Sequence, residues 1–399
     1  MPILFLIVVI DLIGFGIIIP LLPFYAEYYQ ASPAEVGLVM AIYSLTQFIA
    51  APFWGRLSDR VGRKPVLVVS LAGAAFSYVW LGFAETLWVL FAARAVGGFM
   101  AGNISTAFAY VADVTTRENR AKGMGLIGAA FGLGFIIGPA LGGLMAGSDP
   151  VNADFRSPAF AAAGLSMLAL ILTMLILKES LSVEVRQRLK DQPAATRRQQ
   201  FLQAIRKPAI TQLLIISFLA TFAFAGLEAT FAMWSRRQFG WGPEQNGYLF
   251  AVIGILGALI QGGLIGRLVK RFGERGLIIQ GAAALSVGIF LIPFSHTLPV
   301  LVLAMAIAAY GFSVINPALS SSISLQVGEH EQGGMMGVSR SATTLARVAG
   351  PAIAGFLFSF LGMDWPYYAG AMVMVIVVIL ATRIEHFPNT TAKTPANEK

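Results

Sequence analysis

The sequence predicts an all-α membrane protein of twelve membrane-spanning helices in two six-helix bundles, with N- and C-termini cytoplasmic. Three observations predict it. First, 57% of the 399 residues are hydrophobic and 12% are charged. That is about half the charge of a soluble domain. The apolar residues also fall in runs of about twenty, the length at which an α-helix crosses the hydrocarbon core. Second, Gly55-Arg-Leu-Ser-Asp-Arg-Val-Gly-Arg-Lys-Pro65 recurs 211 positions later as Gly266-Arg-Leu-Val-Lys-Arg-Phe-Gly-Glu-Arg-Gly276, with five of eleven positions identical. Gly138-Pro139 recurs as Gly350-Pro351. Two related halves, each carrying a basic hairpin between apolar segments, read as a transporter. Third, with the N-terminus inside, 22 Lys/Arg fall on one side and only Arg156, Arg236 and Arg237 on the other. Basic loops stay in the cytoplasm, which orients both termini.

The same composition excludes several classes. The net charge of +8 is spread over alternate loops, with no basic, aromatic-interleaved surface for nucleic acid. There is no cysteine, hence no disulfide framework, thiolate metal site or thiol nucleophile. His296, His330 and His386 fall in loops or the tail and are read as solvated, so no metal is expected. No Gly-x4-Gly-Lys-Ser/Thr loop occurs, so ATP drive is unsupported and no cofactor is expected. No catalytic dyad is visible, and an enzyme is not expected.

The spans, all helical because a lipid-facing strand leaves its backbone unpaired, are drawn at roughly 3–27, 34–56, 65–84, 87–112, 121–146 and 157–177, then 208–235, 244–267, 276–294, 298–321, 332–360 and 365–383. The first opens directly in apolar Ile3–Phe24 and reads as a retained span, not a signal peptide. It carries Asp11, roughly 12 Å along the helix axis at about 1.5 Å per residue. The second carries Gln47 and Pro52 and runs into the first hairpin. The fourth carries Arg94, with Gly98, Ala101 and Ser105 on its face, and Asn103. The fifth is rich in glycine from Gly134 to Gly143. Residues 1–177 form the N-terminal bundle, and 178–207, with eight Lys/Arg and three acids, a cytoplasmic linker with a surface helix around Ser182–Lys190. The seventh span holds Glu228 within Phe222–Trp234, where Phe224 and Trp234 are candidates for a greasy pocket. The eighth holds Gln261, and the tenth Asn316. Arg340 and Arg347, seven apart, share a face of the eleventh. Residues 208–383 form the C-terminal bundle and 384–399 a cytoplasmic tail.

Intramembrane charges are costly and mark function by default. Asp11 and Glu228 are candidate proton carriers; Asp11 is alternatively an acid in a wet vestibule or permanently paired with Arg94. Glu228 is alternatively an acid near the outer boundary. Arg94 can reach Asp11 or a backbone carbonyl, or serve as a hydrogen-bond hub. Arg340 and Arg347 attract an anion or clamp carbonyls, and Arg340 has the reach to snorkel. Gln47, Asn103, Gln261 and Asn316 line a substrate path or bond between helices. In the hairpin, Gly62 permits a tight turn, Asp59 can accept from a neighbouring helix N-terminus, and Arg63 can bridge to Asp113.

Gly55–Lys64 resembles the signature loop of the major facilitator superfamily. Leu90-Phe-Ala-Ala-Arg-Ala-Val-Gly-Gly98 resembles its second motif. Gly134-Phe-Ile-Ile-Gly-Pro-Ala-Leu-Gly-Gly143 resembles the motif of its drug/proton antiporters, and Asp11-Leu-Ile-Gly-Phe-Gly-Ile-Ile-Ile-Pro-Leu-Leu-Pro23 that of the twelve-helix antiporters, with tetracycline/proton antiporters most similar. Ser77 and Gly257 stand where those carry Asp and His, so another lipophilic substrate is implied. The resemblance implies the superfamily's fold, spans one, four, seven and ten around a central cavity, and a proton-coupled multidrug exporter, a monomer in the bacterial inner membrane. It implies proton handling by Asp11, Arg94 and Glu228. It implies gating by Gly55, Asp59, Arg60, Gly62, Arg63 and Asp113, latched near span eleven, and by Gly134, Gly138, Pro139 and Gly142. The rivals are a symporter or uniporter of an anionic metabolite, suggested by the two arginines, and a non-transporting receptor or scaffold.

Overall fold

A computed structural model describes residues 1–182, 184, 186, 187, 206–327 and 332–384. The expected surface helix lies largely outside these residues, as do His330, His386 and nearly all of the tail. No strand occurs among the described residues. Eleven helices are long and apolar enough to cross a membrane. They are α1 Pro2–Tyr28, α2 Pro33–Val61, α3 Arg63–Gly82, α4 Leu87–Val114, α5 Arg117–Ala146, α6 Arg156–Leu175, α7 Pro208–Phe239, α8 Pro243–Phe294, α9 Leu298–Leu325, α10 Gln332–Leu361 and α11 Trp365–Thr382. Their outer faces are apolar: Trp88 is 80% and Met372 68% exposed. In water such faces would associate; in lipid they need no cover.

Eleven differs from twelve because α8 has 52 residues. At about 1.5 Å per residue it measures about 78 Å, over twice the hydrocarbon thickness. Gly273 breaks it with φ 67° and ψ 168°, a region open almost only to glycine. Gly62, between α2 and α3, has φ 110° and ψ 165°. The two positions are equivalent in the repeated hairpin. The same turn therefore recurs in both halves.

The second repeat is a close helix crossing. A Cβ on Gly138 of α5 would strike the Gly16 backbone of α1; one on Gly350 of α10 would strike Phe222 and Gly226 of α7. Without side chains at these points the backbones meet, which is how helices associate where the hydrophobic effect gives no drive.

Two faces can be distinguished. The terminal face holds the start of α1, both repeated turns and the end of α4. Here Gly123 would meet Met1, and Arg63 binds Asp113. At the far face the halves pack together through quasi-equivalent seams. Gly143 of α5 meets Pro243 and Gly247 of α8, and Gly247 meets the Pro139 carbonyl. Gly37 of α2 meets the Pro351 carbonyl of α10, and Gly355 meets Pro33. Toward the terminal face these four helices diverge: Gly55, Gly125, Gly128, Gly132, Gly262, Gly263, Gly266 and Gly337 each have nothing within 4 Å of an added Cβ.

Helix α4 is broken at Ala101–Gly102. Free backbone groups are costly in lipid. Ser70 of α3 meets them: its hydroxyl donates to the Met100 carbonyl and accepts from the Asn103 N–H at 2.9 Å.

Candidate functional site

A cavity of about 280 Å³ lies between the halves, at the small end of ligand pockets, which span about 300–1,000 Å³. Its walls are Ile19 and Pro20 of α1, Phe131 and Phe135 of α5, Phe224 and Glu228 of α7, Phe250 and Gln261 of α8, Phe312 and Ser313 of α9, and Arg347 of α10. Gly128, Gly132, Gly254 and Gly257 also line it. Phe224 and Phe312 stack with centroids 3.7 Å apart. Gln261 sits in a π-helical turn, Ile260–Leu264, which re-aims its helix face.

One ion pair stands in this aromatic wall. Arg347 Nη1 donates to Glu228 Oε2 at 3.3 Å. The Arg347 side chain is 36% exposed and that of Glu228 11%, so the guanidinium presents more of itself to the cavity. The spacing of both residues suits their helices: Gly226 and Gly350, close to each in sequence, bring α7 and α10 together.

A second polar cluster lies in the N-terminal half, away from the cavity. Asp11 is 8% exposed. Ser166 Oγ donates to its Oδ1 at 3.1 Å, and Asn103 Nδ2 donates to Oδ2. Arg94 does not pair with it. The Arg94 guanidinium lies 4.2 Å from the centre of the Tyr43 ring, and its Nε is buried with no hydrogen-bond partner among the described residues.

At the terminal face Arg63 joins α2, α3 and α4: it donates to Asp59 at 2.6 Å, Ser58 at 2.7 Å and Asp113 at 3.0 Å. Ser180 also donates to Asp113. The α3 N-terminus is held by Glu179, which accepts from the Arg63 and Lys64 N–H groups at 2.9 and 3.0 Å. Carboxylates suit such a position because the helix dipole is positive there. The sequence expectation gave Asp59 a neighbouring helix N-terminus; Asp59 accepts from the Arg63 side chain. No partner on α10 meets Asp59 among the described residues; the helices are apart at this face, and Arg60 is exposed.

At the far face Glu27 of α1 accepts from Arg236 and Arg237 of α7, both at 3.0 Å. Arg237 also lies 4.8 Å from the Phe358 ring centre of α10. The positive-inside count isolated these two arginines but offered no partner, because Glu27 reads as an ordinary helix-end acid.

Of the expected substrate residues, Phe224, Glu228, Gln261 and Arg347 line the cavity. Trp234 does not: it is fully buried, donating its indole N–H to Asp364 at 2.9 Å. Asn103 is turned to Asp11. Asn316 donates to the Phe312 carbonyl of its own helix at 3.3 Å. Arg340 lies 3.7 Å from the Phe108 ring centre of α4, a contact between halves. Gln47 is half-buried outside the cavity. Of the expected lining spans one, four, seven and ten, the first, seventh and tenth (α1, α7 and α9) line the cavity, and the fourth is corrected. No residue of α4 lines the cavity, whereas α5 and the first limb of α8 supply much of it. Gly134, Gly138 and Gly142 pack on α1 backbone, and Pro139 on Gly247. Phe131, Phe135, Phe250 and Phe312 were not singled out from sequence. Phe131 and Phe135, four apart beside Gly128 and Gly132, share one helix face, which is the signal that marks them.

The family model of the Major Facilitator Superfamily matches residues 4–275 and 259–399. Multidrug resistance protein 2 of Bacillus subtilis (strain 168) is 32% identical over 372 residues, covering 91% of this chain and 90% of its own. Tetracycline resistance protein, class C, of Escherichia coli is 33% identical over 365 residues, covering 90% and 89%. The solved human organic anion transporter MFSD10 (TETRAN) superposes with a TM-score of 0.73 at 27% identity, covering 95% and 98%. With its repeated hairpin, its glycine crossings and this match over nearly the whole length, the chain belongs to the Major Facilitator Superfamily, whose members are membrane transporters and not enzymes.

Proposed function

We propose that this protein is a proton-coupled exporter of drugs or other lipophilic small molecules, working by alternating access in a bacterial inner membrane. The observation that carries the reading is the cavity: an aromatic pocket holding an ion pair, closed by glycine seams at one face and flanked by open glycines toward the other. A solute of modest size fits it, and a rocking motion of two halves would expose it to each side in turn. The multidrug and tetracycline resistance relatives support export.

In this reading α8 crosses twice, reversing at Gly273, and the spans number twelve. The bundles are residues 1–177 and 208–383, joined by a cytoplasmic linker at 178–207 and followed by a cytoplasmic tail at 384–399. The terminal face is then cytoplasmic, and the conformation is open inward. Asp11, Arg94 and Glu228 handle the proton. Phe224, Glu228, Gln261 and Arg347 contact substrate. Gly55, Asp59, Arg60, Gly62, Arg63 and Asp113 gate the cytoplasmic side, and Gly134, Gly138, Pro139 and Gly142 guide the seam. The protein acts as a monomer.

Reconstitution into liposomes tests the proposal. A proton gradient drives accumulation of a lipophilic substrate in wild-type vesicles. Asp11→Asn abolishes that drive but leaves substrate-for-substrate counterflow. Wild-type rates indifferent to the gradient overturn the coupling. A second reading, transport of an anionic metabolite, draws on Arg347 in the cavity wall and predicts that lipophilic cations do not compete.

A further inference from the structure

We infer that the substrates this cavity recognises are small aromatic zwitterions, which insert their two charges between Glu228 and Arg347. The inference rests on the transporter reading above and specifies its substrate class. Three observations carry it. The cavity holds one acid and one base, and they are paired with each other. The pairing is a single Nη1···Oε2 contact at 3.3 Å, so the remaining guanidinium nitrogens have no hydrogen-bond partner among the described residues. The surroundings are aromatic, lined by Phe131, Phe224, Phe250 and Phe312 with no further charge.

The electrostatics follow from that arrangement. A lipophilic cation that takes Glu228 for itself competes with Arg347, and the guanidinium then loses its counter-ion. A lipophilic anion at Arg347 strands the Glu228 carboxylate in the same way. Stranding a charge is the costly event, most of all for the Glu228 carboxylate, whose side chain is 11% exposed against 36% for Arg347. A zwitterion avoids both penalties. Its ammonium lies against Glu228 and its carboxylate against Arg347, and two antiparallel dipoles replace one. The neighbouring charges of an α-amino acid are spaced for a pair that itself stands side by side. The aromatic body then lies on the phenylalanines, where flat rings associate by offset or edge contact. Arg340, the other arginine of α10, is engaged on Phe108 outside the cavity lining and does not supply a second anion subsite. The cavity's volume of about 280 Å³ suits a solute of one or two fused rings, not a large polycycle.

Three probes of one skeleton separate the classes: naphthylalanine, its amine-only analogue naphthylethylamine and its acid-only analogue naphthylpropionate. Binding is measured by calorimetry on the full chain in lipid nanodiscs. For the wild-type protein naphthylalanine binds about tenfold or more tighter than either analogue. Glu228→Gln moves the preference to naphthylpropionate, and Arg347→Gln moves it to naphthylethylamine. The double variant Glu228→Gln/Arg347→Gln has no stranded charge and binds all three alike; it carries the test if a single variant fails to fold. Wild-type protein that does not bind naphthylalanine, or an order of preference that is the same in wild type and double variant, overturns the inference. Flux in liposomes keeps the two levels apart. Proton-driven flux of a probe with charge-blind binding defeats the zwitterion inference alone, whereas charge-ordered binding with no flux of any probe defeats the transporter reading alone.

Discussion

Arg236 closes on Glu27 across the far face at 3.0 Å, and the Glu27 side chain is only 9% exposed. With Arg237 on its second oxygen at 3.0 Å, Glu27 holds the end of α1 to the end of α7. The bond is between halves, so it stabilises one conformation of the protein and not the fold of either half.

Glu27→Gln should therefore open the far face. Losing a largely desolvated partner leaves two arginines facing a neutral amide, a change of about 2–4 kcal/mol between closed and open states. The chain has no cysteine, so spin labels at Gln30→Cys and Gln238→Cys report the separation directly. The expected result is a longer-distance population in Glu27→Gln; an unchanged distribution would show that the seams alone keep the face shut.

Gly62 and Gly273 both have positive φ, 110° and 67°, and alanine at either should cost about 1–3 kcal/mol of backbone strain. The surroundings differ. A Cβ on Gly62 would also meet the Glu179 carboxylate, whereas Gly273 has nothing within 4 Å. Gly62→Ala should therefore lower the thermal midpoint more than Gly273→Ala. Equal losses would show that Glu179 moves aside at no cost.

Gly132 and Gly138 lie on the same helix with opposite surroundings. A side chain at Gly132 enters open space in the cavity, while one at Gly138 strikes the Gly16 backbone. Gly132→Val is expected to fold and to weaken binding of the bulkier substrates about tenfold, roughly what 1.4 kcal/mol gives. Gly138→Val is expected to abolish folded protein in a size-exclusion assay. Similar elution profiles and similar substrate ranges for the two would refute the distinction.

Trp234 donates to Asp364 from a fully buried ring. Trp234→Phe should cost about 1–2 kcal/mol of stability through that lost bond. It should leave substrate competition unchanged, because the ring lies outside the cavity. A changed substrate profile would return Trp234 to the binding site.

The repeated loop also separates by charge. Asp59 aligns with Lys270 and Arg63 with Glu274. Arg63 reaches α4 through Asp113, and Glu274 accepts from Ser321 of α9 at 3.1 Å, so each half ties its turn to the corresponding helix with opposite polarity. Asp59→Asn is expected to slow turnover in liposomes several-fold more than Lys270→Gln. Equal rates would mean that the loops serve topology alone.

The helices were legible because apolar length and basic loops are strong, local signals, and the turns because only glycine tolerates their φ. The break inside α8 shows the limit: Gly273 interrupts a 52-residue helix that the sequence draws as two spans, 244–267 and 276–294. The site was less legible. Glu228 and Arg347 stood out as charges in apolar segments, but their pairing spans 119 positions. Trp234 was misread because the partner of its indole lies on α11, and Glu179 was missed because a carboxylate after a span looks like any solvated end. Phe131 and Phe135 were not singled out, since in a membrane helix apolarity does not distinguish lipid from cavity.

The glycine seams bear on how fast the protein can turn over. Gly37 with Gly355, and Gly143 with Gly247, meet as smooth backbone surfaces. At these four glycines no side chain of their own must change rotamer before α2 slides from α10 or α5 from α8. These contacts behave as bearings: they set the path of the movement and resist it little. Polar bonds at the same end resist it: the Glu27 cluster, and the Ala34 N–H, which donates to Ser359 Oγ at 2.8 Å. A protein built this way can be tuned in speed by single charges without reshaping the surfaces that slide.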